Sequence, residues 1–104
     1  MQLRINVSKK DIHNGEKSNP SDCAIAKALK RNKALKPTRV GVFYDKCIVQ
    51  TVGAKGRKQS YIASLNDKAS MFVHRFDHGK TVKPLALTLD LKKCSSSHVY
   101  ASSY

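Results

Sequence analysis

The sequence predicts a single small α+β domain with the order β-α-β-β-β-α-β, in which a mainly antiparallel sheet packs on two helices. Three observations predict this class. Apolar and polar residues alternate in the first and last strand segments, two segments have helical spacing, and β-branched and aromatic residues dominate the stretch between them. At 104 residues the chain has the size of one domain. We place that domain at residues 1–93 and a flexible Ser-rich tail at 94–104.

The first strand is predicted at residues 2–8, because apolar side chains alternate there with polar ones: Leu3, Ile5 and Val7. Residues 9–20 contain Asn-Gly and Asn-Pro pairs and one large aliphatic side chain, so we predict a loop in which Ile12 contacts the core. A helix follows from Cys23 to Asn32, after a Pro-Ser-Asp start signal. Its pattern allows an extension to Lys36, where Pro37 disfavours helical geometry.

The middle of the chain predicts an antiparallel meander of three strands. A hairpin around Val40 and Val49 turns at Asp45 and Lys46, and a basic glycine-rich loop, residues 53–58, leads to a strand at 60–63. The second helix is predicted from a capping box of Ser64 and Asp67 to about Asp77, with a glycine stop. The last strand is predicted where four leucines alternate with other residues: Leu85, Leu87, Leu89 and Leu91.

The charge is the strongest functional indication in the sequence. The chain has 20 basic and 7 acidic residues, a formal net charge of +13 and a sequence pI of about 10.0. The excess is evenly spread over both halves of the chain, so no separate basic arm is predicted. Such a field favours nucleic acid or an acidic protein as the partner. Charge that only maintains solubility is the alternative, although a smaller excess suffices for that.

Two basic segments are candidates for binding nucleic acid or an acidic partner. The first helix places cationic residues on the face opposite its apolar stripe, where they can reach successive phosphates: Lys27, Lys30 and Arg31, with Lys33 and Lys36. The glycine-rich loop adds three more: Lys55, Arg57 and Lys58. Gly53 and Gly56 have the G-x-x-G spacing of KH domains, but strand-like segments flank the loop, so we interpret it as a hairpin loop.

The sequence does not predict an enzyme, a metal site or a cofactor. The acidic residues are scattered, and no nucleophile motif or phosphate-binding loop is present. His74 and His78 are four residues apart, as are Cys94 and His98, but no C-x-x-C pair supports a zinc site. The three cysteines are far apart, which disfavours a disulfide framework. With no membrane-spanning stretch or signal peptide, we expect an intracellular, reducing location.

Parts of the chain resemble a group of small phage-encoded proteins of unknown function. Residues 11–15 (DIHNG) match the D-I-x-x-G turn of that group. Residues 23–29 (CAIAKAL) match its C-P-I-A-x-A-L helix, with Ala24 in place of the usual proline. Residues 76–84 (FDHGKTVKP) are similar to its F-D-x-G-x-x-V-x-P segment. The resemblance implies a viral origin, hence the host cytoplasm, and an α+β fold, and it brings no known activity or site.

The sequence therefore predicts a non-catalytic protein that binds DNA or RNA mainly through phosphates. The alternative is an inhibitor of a host protein, such as a defence nuclease or a polymerase, whose acidic or nucleic-acid-binding surface the basic face covers. The two hypotheses differ in salt dependence and stoichiometry. The sequence does not choose between DNA and RNA, and it leaves the host target and the oligomeric state open.

Overall fold

The computed structural model describes residues 2–33, 35–53 and 56–94, with only the backbone of Cys94. These residues form an α+β fold, as the sequence predicts. Its elements, in chain order, are β1 (Gln2–Val7), α1 (Lys9–Asn14), α2 (Ala24–Lys30), β2 (Arg39–Val42), β3 (Lys46–Val52), β4 (Lys58–Ser64), α3 (Asp67–Asp77), β5 (Leu85–Asp90) and β6 (Lys92–Cys94).

The strands form two antiparallel sheets among the described residues, where the sequence predicts one. β1 pairs with β5 in register from Val7 opposite Leu85 to Gln2 opposite Asp90. The second sheet has the order β2-β3-β4-β6. Its first three strands are the predicted meander, in which Val49 lies between Val40 and Tyr61. The sequence predicts the β2–β3 turn at Asp45 and Lys46, but Lys46 is the first residue of β3, so the turn ends at Asp45.

The predicted loop at residues 9–20 is wrong in its first half, which forms helix α1. Ser8 caps this helix: its Oγ accepts the backbone N–H of Asp11, and the Asp11 carboxylate accepts the N–H of Ser8 at 2.8 Å. This reciprocal capping box offsets the weak helical propensity of a six-residue segment. Ile12 is partly buried against the core, as expected.

Helix α2 is shorter than the predicted 23–32, and its extension to Lys36 is replaced by a separate turn. The helix ends at Lys30. Asn32 organises the turn, since its side chain accepts the N–H of Leu35 at 2.9 Å and its carbonyl accepts that of Lys36 at 3.0 Å. Lys36 takes a left-handed φ of 46° just before Pro37, which agrees with the steric exclusion of α geometry before proline.

Helix α3 matches its predicted span, but its cap does not. The N-cap is Asn66, whose Oδ1 accepts the N–H of Ala69 at 2.9 Å, and the predicted Ser64 lies in β4. The last strand stops at Asp90, and after Leu91 the chain enters β6 beside β4. Cys94 therefore belongs to a strand where the sequence predicts the start of a tail, and residues 95–104 of that tail lie outside the described residues.

The core lies between the helices and one face of each sheet. Its largest buried side chains include Ile25 and Leu29 of α2 and Leu89 of β5. Helix α3 contributes the stripe that its spacing predicts: Ala69, Phe72, Val73 and Phe76. α2 packs on β1 and β2. This arrangement leaves the polar faces of the helices and the ends of the four-stranded sheet to carry the charge.

Candidate nucleic-acid interface

Arg31, one of the predicted binding residues, is held by a buried carboxylate. Its Nε lies 3.1 Å from Oδ1 of Asp11, and a terminal nitrogen lies 2.5 Å from Oδ2 and 2.6 Å from the carbonyl oxygen of Asn6. Burial opposes ionisation of Asp11, but hydrogen bonds from Arg31 and Ser8 outweigh it, so the pKa of Asp11 lies below its ordinary value. Arg31 thus links α2 to α1 and β1.

Lys27 and Lys30 share one carboxylate at the start of α2. The Nζ of Lys30 lies 2.6 Å from Oδ1 of Asp22, and the Nζ of Lys27 lies 3.8 Å from the same oxygen. The hydrogen bond from Lys30 lowers the pKa of Asp22. The sequence predicts that Asp22 marks the start of this helix, but the N-cap of α2 is the next residue, Cys23. The pair of lysines keeps one net positive charge here.

The remaining predicted cations of the described chain belong to the segments that lead into β2 and β4, and these two strands begin at the same end of the four-stranded sheet. Lys33 and Lys36 precede β2, which starts at Arg39, and the N–H of Thr38 donates to the carbonyl of Gln50 at 2.8 Å. On the other side of β3, Val52 is paired with Lys58, which follows Arg57. Because neighbouring strands are about 4.8 Å apart, the beginnings of β2 and β4 are separated by about 10 Å. We call Lys33, Lys36, Arg57 and Lys58 the cationic end.

The cationic end is exposed, and no acidic group of the described residues compensates its charge. All four side chains are exposed. Within residues 2–33, 35–53 and 56–94, no carboxylate lies within ion-pairing distance of any of them. The sequence explains this, since residues 23–66 contain 10 Lys and Arg and one acidic residue, Asp45. Asp45 lies in the β2–β3 turn at the opposite end of the sheet, where its carbonyl accepts the N–H of Leu65.

β3 and β4 form a hairpin at this end, as the sequence predicts. The N–H of Gly53 donates to the carbonyl of Arg57 at 2.8 Å, and Gly56 has a left-handed φ of 73°. A Cβ added at Gly56 would meet no atom within 4 Å, so the left-handed φ and not a lack of space favours glycine at this position. Lys55 lies outside the described residues.

The histidines and cysteines form no metal centre in the described part of the chain, where no group of three or more potential ligands occurs. The rings of His74 and His78 are 4.3 Å apart, and Nδ1 of His78 lies 2.8 Å from the carbonyl oxygen of His74. His98 and the side chain of Cys94 lie outside the described residues. Burial raises the pKa of Cys23, and it raises that of Cys47 to about 12, so both remain thiols at neutral pH.

A cleft of about 390 Å³ lies between the end of β2 and the second half of α3, and the sequence does not predict it. Tyr44 and His74 lie at its rim in an edge-to-face contact, with ring centroids 6.1 Å apart. The carboxylate of Asp77 is used within the fold, since it accepts the N–H of Ser18 at 2.9 Å. The residues come from three segments far apart in sequence, so no local motif marks the cleft.

Comparisons with models of known protein families, with curated proteins and with solved structures found no match to this chain. Among the described residues, no helix has the length and apolar character needed to cross a membrane.

Proposed function

We propose that this protein binds nucleic acid, without catalysis, through phosphate contacts made by the cationic end. The observation that carries the proposal is the exposure of four cationic side chains at one end of the sheet with no carboxylate beside them in the described chain. When cationic side chains neutralise phosphates, the counterions condensed on the nucleic acid are released into solution. This release is the main source of affinity in such interfaces.

The ion pairs described above support a different role for each group of candidate residues. Lys33, Lys36, Arg57 and Lys58 are the proposed phosphate contacts, and Lys55 of the same hairpin stays a predicted one. Lys27 and Lys30 have a lesser role, because Asp22 offsets half of their charge. We leave Arg31 out, because releasing it would leave a buried carboxylate without its charge partner.

The chemistry of the cationic end favours contacts with the backbone over recognition of bases. Lysine is a flexible point charge that binds phosphate without directional demands, and three of the four residues are lysines. Phosphate contacts position a protein on nucleic acid and carry no sequence information. We therefore expect weak sequence preference and affinity that falls steeply with salt.

Fluorescence polarisation with labelled duplex DNA, single-stranded DNA and RNA tests the proposal. The variant K33Q/K36Q/R57Q/K58Q removes the charges of the cationic end, and K9Q/K10Q/K17Q/K80Q removes four exposed lysine charges elsewhere. We expect the first variant to lose at least about tenfold in affinity for the preferred nucleic acid, since each phosphate contact contributes to the salt-dependent term. The second variant should lose much less.

Equal losses in the two variants would contradict the proposal, because they would show that net charge matters and position does not. Absence of binding to all three probes at low salt would contradict it as well. Circular dichroism and thermal unfolding of each variant verify that the fold is intact before the affinities are compared.

A further inference from the structure

A groove of about 480 Å³ separates helix α3 from the chain that returns after it to β5. Its floor is apolar: the ring of Phe72 is buried, and Val82 and Leu85 are partly buried against the core. Met71 stands at the rim with 49% of its surface exposed, so it is one of the few large apolar side chains that the described fold leaves in water. An exposed apolar side chain next to a concave apolar floor is typical of a binding site.

The rim of the groove is cationic. Lys68 and Arg75 flank the helix side, and Lys83 lies on the opposite side. All three are exposed, and the rim has one carboxylate, Asp67, to set against them. Asp67 lies in the first turn of α3, where the helix dipole already favours a negative charge. The groove therefore complements a ligand that combines apolar side chains with negative charge.

The returning segment offers backbone hydrogen-bonding groups beside this floor. Residues 80–84 belong to no helix or strand. Within the described part of the chain, the backbone N–H groups of Thr81, Val82 and Lys83 donate to no protein acceptor. An extended peptide laid along such a segment can form main-chain hydrogen bonds while alternate side chains enter the groove, as in strand addition.

We propose that this groove binds an extended, acidic segment of a partner protein, whose apolar side chains contact Met71 and Phe72. The surface is separate from the cationic end, so the proposal does not depend on nucleic-acid binding. It gives the alternative hypothesis of an acidic protein partner a defined site. The cationic rim requires a partner segment with negative charge, and the apolar floor requires that the segment also has apolar side chains. The second requirement distinguishes this site from general attraction by a basic protein.

A short fluorescein-labelled peptide in which Asp or Glu alternates with Leu or Phe is the probe. Two control peptides accompany it: one has serine in place of Leu and Phe at the same charge, and one has N-methylated peptide bonds, whose methyl groups sterically keep that edge of the peptide away from the N–H groups of residues 81–83. Binding to the full chain is measured by fluorescence polarisation, and the site is mapped by titration of ¹⁵N-labelled protein.

Four variants separate the groove from the rest of the surface. M71Q replaces the rim side chain by a polar isostere, and V52T does the same at an equally exposed apolar residue of the hairpin. K68Q/K83Q removes two rim charges, and K33Q/K36Q removes two from the cationic end. We expect M71Q to weaken peptide binding about tenfold and K68Q/K83Q to weaken it severalfold. V52T and K33Q/K36Q should retain affinity within about twofold.

The mapping should show amide shifts at Met71, Phe72, Leu85 and residues 81–83, and both control peptides should bind more weakly than the probe. No binding of the probe, equal binding of the serine peptide, or shifts confined to the cationic end would overturn the proposal. Loss of nucleic-acid binding in K33Q/K36Q with peptide binding retained would show that the two sites are independent.

Discussion

Arg31 and Asp11, twenty residues apart in sequence, form a bidentate ion pair in which the carboxylate is buried and the guanidinium is half exposed. The same guanidinium donates to the carbonyl of Asn6. One side chain at the end of α2 therefore fixes the positions of α1 and β1. This places Arg31 in the framework of the protein, although it belongs to the segment with the densest positive charge.

The substitution R31A is expected to lower the free energy of unfolding by about 2–4 kcal/mol, because it leaves the Asp11 carboxylate buried without its charge partner. The control K30A removes an exposed ion pair with Asp22 and should cost no more than about 1 kcal/mol. Urea unfolding followed by circular dichroism measures both. Similar small losses in the two variants would show that the Arg31–Asp11 pair contributes little.

The stability should depend on pH through Asp11. Its pKa is below the ordinary 3.8, so the folded state binds this proton less readily than the unfolded state does. The stabilisation is complete above the unfolded pKa and is lost as the pH falls through the folded pKa. We expect the urea midpoint of the wild type to fall below about pH 4 and that of D11N to fall less. Asp22 is retained in both proteins, so parallel curves would exclude Asp11 as the source.

Cys23 and Cys47 should resist alkylation in the folded protein. Their exposed fractions are 4% and 0%, and burial raises the pKa of both thiols, which suppresses the reactive thiolate. Iodoacetamide at neutral pH, followed by peptide mapping, should leave both unmodified in buffer and modify both in urea. Rapid labelling of Cys47 in buffer would contradict the described core.

Gly15 is required by close backbone approach and not by an unusual φ. A Cβ there would lie 2.7 Å from the backbone nitrogen of Ala24 and 2.9 Å from the carbonyl oxygen of Asp11. G15A should therefore destabilise the protein by about 1–3 kcal/mol, since neither backbone atom can move cheaply. In the control G53A the nearest atom is 3.6 Å away, and the cost should stay within about 0.5 kcal/mol. Thermal unfolding compares the two.

The elements that the sequence predicts well are those with a strong local pattern. The alternating leucines of β5 and the apolar stripe of α3 each specify one element and its buried face, and the structure confirms them. Helix α1 has no such pattern. Its capping box of Ser8 and Asp11 has the same local form as the one predicted at Ser64 and Asp67, but no apolar period follows it. The ion pair of Asp11 with Arg31 joins residues that are distant in sequence and has no local signature.

The candidate site also combines a property that the sequence predicts with contacts between distant residues that it does not predict. Composition predicts a cationic surface, but it does not tell which cations are compensated. Asp22 pairs with Lys30, and Asp11 pairs with Arg31. Both pairs depend on how the residues before α2 fold against that helix. The placement of Lys36 and Lys58 at the same end of the sheet depends on strand order across β3. The groove beside Met71 depends on the path of the chain after α3, which residues 80–84 do not specify by any period.

The most direct test of the central claim compares the salt dependence of nucleic-acid affinity in two charge-matched variants. K33Q/K36Q removes two lysines of the cationic end, and K17Q/K80Q removes two exposed lysines outside it, of which Lys17 lies beside Gly79. The slope of log affinity against log salt should become shallower by about 2 in K33Q/K36Q and change little in K17Q/K80Q. Equal slopes in the two variants would contradict phosphate binding at the cationic end.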